Sequence, residues 1–278
     1  MTFVTLPVCP VIKDAVLLRR LIWLALVAAV LVGTAHWLLV QWQAAPIIFA
    51  AEAMEDRKVS AALNVPSGHA HGHQYGSAAS GDSHVHEPWK PADGLERSAW
   101  TWMASVLLQF GLALGLLVAI AFASRKESAA AAPMRTSLVL AAAGFFCLFA
   151  WPALGLPPEI PGMDAARLGS RQAWWALGAG CAVSAVASAV LLRASWRWVM
   201  AVTLLGIPFV VEAPHIASDP FVSFDESTAT QLRLLAHRFV WVTVGLSLIQ
   251  WVLLGLTCGV LAQRWLLPVI VDPAPLRA

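Results

Sequence analysis

The chain has 278 residues, of which 59% are hydrophobic and 12% charged, with a net charge of +2 and a pI near 8.5. A soluble domain is roughly a quarter charged, so this chain has too few charges to cover a water-facing surface, and a lipid-facing one is indicated. Lys and Arg lie scattered at the ends of apolar runs and form no basic stripe; that leaves lipid, an ion and another subunit as partners and gives no footprint for nucleic acid.

A membrane span needs about 20 mostly apolar residues. In chain order the runs are Leu21 to Val40, Thr101 to Ala123, Leu138 to Leu156, Trp174 to Leu192, Trp198 to Val211 and Phe239 to Ala262. The fifth is short and holds Pro208, which removes a backbone donor; without it the charge pattern loses its consistency. Arg19 and Arg20 precede the first run, and Ala50-Ala51-Glu52-Ala53 has the look of a signal-peptide cleavage site. The apolar stretch is longer than a signal core of roughly 7–15 residues, so an uncleaved first span is expected. The fold class is therefore an all-α integral membrane protein, a bundle of about six transmembrane helices. Residues 1–278 form a single polytopic membrane domain, with 44–100 as an extracytoplasmic His-rich loop within it.

Charge sets the expected orientation. The flanks 1–20, 124–136, 193–197 and 263–278 hold Lys13, Arg19, Arg20, Arg125, Lys126, Arg135, Arg193, Arg197, Arg264 and Arg277, against the acids Asp14, Glu127 and Asp272. These flanks, and both termini with them, are expected in the cytoplasm. Trp37, Trp42, Trp100, Trp102, Trp151, Trp174, Trp175 and Trp241 fall near the outer ends, and Trp23, Trp196, Trp198 and Trp265 near the inner ends, as interfacial rings should. Cys147, Cys181 and Cys258 lie in apolar runs, Cys9 stands apart, and no CxxC pair exists; small apolar fillers are expected. Gly111 with Gly115 and Gly255 with Gly259 have GxxxG spacing, read as ordinary bundle packing.

The candidate chemistry lies between the first two spans. Gly68-His69-Ala70-His71-Gly72-His73 is followed by Asp82-Ser83-His84-Val85-His86-Glu87. Neutral imidazole is the commonest metal ligand and suits zinc, copper, iron and nickel, with cobalt a short extension. Alternating His on a pliable Gly/Ser backbone can close around an ion without a preformed cage. The remaining His residues, His36, His215 and His237, fall on the same side, together with Glu52, Glu55, Asp56, Glu159, Glu212, Asp225 and Glu226. An acidic, imidazole-rich face concentrates divalent cations. His36 lies inside a span, where a polar group normally faces the bundle interior, with Gln43 on nearly the same helical face. It reads equally as a ligand on a substrate path or as a His bonded to a neighbouring helix. Glu212 and His215 have E-x-x-H spacing, but Pro214 intervenes and should end the helix. The metal candidates are thus His69, His71, His73, His84, His86, His36, Glu212, His215 and His237, with Glu52 and Glu159 at the same mouth. Pro157, Pro158 and Pro161 should stiffen the turn that carries Glu159. No GxxxxGK[ST], HExxH or span-borne GxSxG occurs, and no paired His for a haem is evident, so neither ATP hydrolysis nor membrane-enzyme chemistry has visible machinery. No tightly bound cofactor and no enzyme activity are expected.

From Arg19 to Arg264 the chain resembles the CbtA family of proposed cobalt transporter subunits. The likeness rests on the His-rich loop followed by Pro91-Ala92-Asp93-Gly94-Leu95-Glu96-Arg97. It rests further on Pro152-Ala153-Leu154-Gly155-Leu156-Pro157-Pro158-Glu159-Ile160-Pro161-Gly162, and on Ala166-Arg167 through Arg171-Gln172-Ala173-Trp174-Trp175. The resemblance implies import of cobalt across a bacterial cytoplasmic membrane and a small single-span, His-containing partner, CbtB. It supplies no ligand set. The chain departs from the family in its longer N-terminus before Arg19 and in Glu212 and His215. The reading is a membrane subunit of a divalent metal-ion uptake transporter, with cobalt as substrate ahead of nickel or zinc. The alternatives are a membrane-anchored metal sensor or metal-delivery protein, and, less well supported, a membrane enzyme.

Overall fold

The computed structural model describes residues 10–63, 91–125, 132–216 and 218–268. The regular elements among them are all helical: α1 (Pro10–Gln43), α2 (Ala45–Leu63), α3 (Leu95–Ala123), α4 (Pro133–Gly155), α5 (Leu168–Leu191), α6 (Arg197–Val210) and α7 (Glu226–Leu266). Helices α4 and α7 each contain a π-helical turn, at Phe146–Ala150 and Ala262–Leu266.

Five of the seven, α1, α3, α4, α5 and α7, are long and apolar enough to cross a membrane, whereas α6 is a shorter apolar helix. At 1.5 Å per residue the 14 residues of α6 reach about 21 Å, short of a hydrocarbon core of about 30 Å. Pro208 lies in the last turn, so its missing N–H forfeits the bond to the Leu204 carbonyl and interrupts little helix beyond it. At most 39% of the most apolar window of any spanning helix is buried within the protein. Leu107, Val139, Val190 and Val202 are all more than 60% exposed. An apolar surface of this extent suits a lipid environment.

The bundle core joins α1, α3, α4 and α7 through Ala25, Ala28, Val32, Ala113, Leu117, Ala141, Leu254 and Cys258, among others. Small residues set the closest approaches. A methyl group on Gly33 would lie 2.8 Å from the Val106 Cα, so the backbones of α1 and α3 touch there. One on Gly255 would lie 2.9 Å from the Ala141 Cβ, and one on Gly144 2.3 Å from the Trp251 ring. Ser137 Oγ donates to the Gly255 carbonyl at 2.7 Å, fastening α4 to α7. The Gly255/Gly259 pair is thus bundle packing, as expected. The Gly111/Gly115 pair is not: nothing lies within 4 Å of where either side chain would begin.

Arg20 Nη1 donates to the Trp265 carbonyl at 3.0 Å, so the start of α1 and the end of α7 share one face. Helices α5 and α6 pack on each other and on the second half of α4. There Trp151 and Trp174 meet Phe209 edge-on, and Trp174 Nε1 donates to the Pro208 carbonyl at 3.1 Å. Trp174, only 4% exposed, is therefore a packing residue and not the interfacial ring its position in the sequence suggested.

The connection 44–100 departs from a plain loop. Residues 45–63 are helical, and Leu95 onward belongs to α3. Pro46 explains the break at Ala44: it offers no N–H to the Trp42 carbonyl and its ring crowds the preceding turn. The chain then resumes helix along a new axis. Helix α7 also begins at Glu226, well before the expected Phe239, because Asp225 caps it: its carboxylate accepts from the Thr228 amide and the Ser227 hydroxyl. These extra segments form a second hydrophobic core. Ile47 and Ala51 of α2, Ile160, Phe221, and Ala229 and Leu232 of α7 are all buried in it. The result is a cap over one end of the bundle, the α2 face.

A candidate cation-handling face

The five loop imidazoles, His69, His71, His73, His84 and His86, lie at 64–90, outside the described residues. What the structure shows is the root of that segment, where α2 ends at Leu63 and the chain returns at Pro91.

At this root is a cleft of about 650 Å³ lined by Glu52, Glu55, Asp56, Pro91, Ala92, Asp93, Glu96 and Arg97. Spacing builds it. Glu52, Glu55 and Asp56 stand at i, i+3 and i+4, one face of α2. Asp93 and Glu96 flank the start of α3, where Gly94 turns the chain with φ of +95°, a conformation that disfavours any side chain. Five carboxylates thus face one guanidinium. Arg97 donates to both Glu52 oxygens, at 2.6 and 3.0 Å, and to Asp93 at 3.3 Å, and it lies 5.0 Å over the Phe49 ring. A second cleft, of about 610 Å³, shares Glu52, Asp93 and Arg97 with the first. It runs to Val40, Gln41, Ser98 and Thr101 at the α1–α3 seam. Gln41 Nε2 donates to Ser98 Oγ there at 2.9 Å. The Arg97–Glu52 pair is the wall between an acidic outer cleft and a cleft leading along the bundle.

The other candidates are scattered. His36 lies in α1, half-buried, with its Nδ1 buried and unpartnered. Glu212 and His215 are exposed in a non-helical stretch after α6, which has already ended at Val210; Glu212 has φ of 58°. Their E-x-x-H spacing therefore does not put them on one helical face. His237, exposed on α7, accepts from Trp241 Nε1 at 3.3 Å. Glu159 is held by Arg171 at 2.6 Å, so the Pro-rich turn acts as a rigid brace, with Asp164 N donating to the Pro220 carbonyl at 2.9 Å beside it. Glu52 and Glu159 are both committed to arginines. Among the described residues no three His, Cys, Asp or Glu side chains come together to hold a metal ion. The cleft therefore attracts cations by its net charge and is not a preformed cage.

Electrostatics along the cap are otherwise local. The Phe221 amide and the Arg233 guanidinium hold Asp219 below the usual carboxylate range. Hydrogen bonds from Ser227 and Thr228 bring Asp225 down to about 2. Both groups are braces of the cap, and neither lines the cleft.

Sequence reasoning grouped Glu52, Glu55 and Asp56 with the outer acids but did not join them to Asp93 and Glu96. The signal was the i, i+3, i+4 spacing, which carries meaning only once 45–63 is read as helix. Among protein families, the model for CbtA, described as a probable cobalt transporter subunit, matches residues 18–263. No curated protein and no solved structure matches the chain.

Proposed function

Since the chain belongs to the CbtA family, we propose that it is the membrane subunit of an uptake system for a divalent metal ion, cobalt foremost, which enters from the α2 face. The observation that carries this reading is the acidic cleft at the root of the His-rich segment. The segment whose sequence carries five imidazoles leaves the fold at Leu63 and rejoins it at Pro91, beside a cleft with a surplus of carboxylates. Imidazole takes a borderline dication such as cobalt, nickel or zinc. Carboxylates then retain it by charge, weakly enough for release. The ion next meets the Arg97–Glu52 wall; its charge competes with the guanidinium for Glu52, which opens the second cleft toward the α1–α3 seam. The α2 face is then extracytoplasmic and the basic opposite face cytoplasmic, with α6 completing a sixth crossing in the cytoplasmic membrane of a bacterium. A small single-span CbtB-like subunit is the partner. This chain has no P-loop, so energy comes from the ion gradient or from that partner.

Cobalt uptake into cells expressing the chain tests the reading, with a variant carrying His69, His71, His73, His84 and His86 all changed to Ala. Uptake above that of empty cells is expected, with a several-fold fall in the variant and inhibition by excess nickel more than by zinc. Uptake at background in well-expressing cells, unrelieved by co-expression of the small subunit, overturns the transporter reading. A sensor or delivery protein then becomes the better account.

A further inference from the structure

Gln109 lies in the middle of α3 with none of its surface exposed, and neither its Nε2 nor its Oε1 has a hydrogen-bond partner. It shares a buried stripe with Ala113, Leu116, Leu117 and Ile120, which belong to the core against α1 and α7. An amide left unmade in an apolar interior is costly, and Leu would fill a similar volume without that cost. A second buried atom without a partner lies on the same seam, His36 Nδ1 of α1. His36 follows Ala25, Ala29 and Val32 along the buried face of α1 at helical spacing.

The register relates the two residues. Gly33 meets Val106 where the backbones of α1 and α3 touch. His36 is three residues from that crossing toward the α2 face, and Gln109 three residues beyond it toward the opposite face. At 1.5 Å per residue they stand about 9 Å apart along the bundle axis. His36 is one turn below Val40, which lines the second cleft. Gln250, 7% exposed, follows the spacing of Leu254, Cys258 and Leu261 and turns the buried face of α7 to the same core.

We propose that His36 and Gln109, with Gln250 on the third wall, form a two-station site inside the membrane for a divalent cation in passage. His36 receives the ion from the cleft at the α1–α3 seam, and Gln109 holds it beyond the Gly33–Val106 crossing. The inference rests on the transport reading and names its intramembrane ligands. Imidazole nitrogen and amide oxygen are neutral donors that a first-row dication accepts in place of part of its water shell. Without a carboxylate they hold it loosely enough to pass on.

The test uses the full-length chain in detergent, with the five loop histidines changed to Ala so that they cannot bind the probe, and cobalt chloride as that probe. Cobalt is expected to raise the Tm of this protein by a few degrees, as any ligand of the folded state does. Adding Gln109→Leu or His36→Phe is expected to abolish the rise. The metal-free Tm of the Gln109→Leu protein should stay level or increase, because an unmade polar group has been replaced by an apolar one. In cells with the loop intact, Gln109→Leu should cut cobalt uptake at least tenfold. A Gln109→Leu protein that keeps the cobalt-induced rise, keeps uptake within twofold, or loses metal-free stability overturns the proposal. No cobalt-induced rise in the parent protein also sinks the site while leaving the transporter reading to its own assay. A rise in a chain that transports nothing sinks the transporter reading and leaves the site.

Discussion

Arg97 answers several demands with one side chain: both Glu52 oxygens, Asp93, and the face of Phe49. The Arg97 and Glu52 side chains are each about a third exposed, 34% and 32%, so water screens the pair and bidentate geometry supplies most of its worth. A double-mutant cycle with Arg97→Met and Glu52→Gln, read by thermal unfolding, should return a coupling of about 1 kcal/mol. Near-zero coupling would mean that the wall between the clefts is not held by this pair. Asp225 gives a pH signature. Its folded pKa of about 2 lies below the ordinary 3.8, so it supports the start of α7 fully above about pH 4 and loses that support as pH falls toward 2. Protection of the amides in the first turn of α7, measured against their intrinsic exchange rate at each pH, should fall over that window, and Asp225→Asn should flatten the dependence. At this scale the sequence was partly legible. His36 is visible as a polar residue in an apolar run; Gln109 is equally visible, but its lack of partners emerges only once the helices around it are placed.

Elements were legible wherever hydrophobicity alone defined them. The five long apolar runs all fall within helices, but α1 and α7 begin at Pro10 and Glu226, well before the expected Leu21 and Phe239. Helix α2 escaped because its residues 52–58 are mostly charged and follow a Pro, a pattern shared with loops; tertiary burial of Ile47 and Ala51 is what makes it helix. The two GxxxG pairs carry the same signal and meet different fates. Gly255→Leu should collide with Ala141 and Leu138 and cost about 1–3 kcal/mol of unfolding free energy. Gly111→Leu, with open space around it, should change stability by no more than about 0.5 kcal/mol. Melting of both variants in detergent checks the contrast, and equal losses would mean that Gly111 packs against protein after all.

For the whole molecule, composition alone was enough to show a membrane protein, because its exposed surface is apolar along every spanning helix. Charge counting also anticipated that the start of α1 and the end of α7 meet on one face, as the Arg20–Trp265 bond shows. Which compartment that face meets follows from the proposed orientation. A cysteine introduced at Glu55 should react with an impermeant maleimide in intact cells, and one at Arg197 only after permeabilisation; the reverse pattern would invert the direction of transport. The cap was not legible, since it is assembled from α2, the turn around Ile160, the stretch around Phe221 and the beginning of α7, pieces far apart in sequence.

Helix α7 runs unbroken from that cap through the bundle to the opposite face over 41 residues, about 60 Å at helical rise. From Glu226 to Leu261 it works as a driveshaft: a tilt imposed at one end is shared by the other, since no Pro, loop or π-helical turn interrupts that length and the π turn at Ala262–Leu266 lies at its far end. Because the cap is threaded on this shaft, it cannot be cut away as a water-soluble piece for study. Ion capture outside and helix movement within the membrane have to be measured on the same intact molecule.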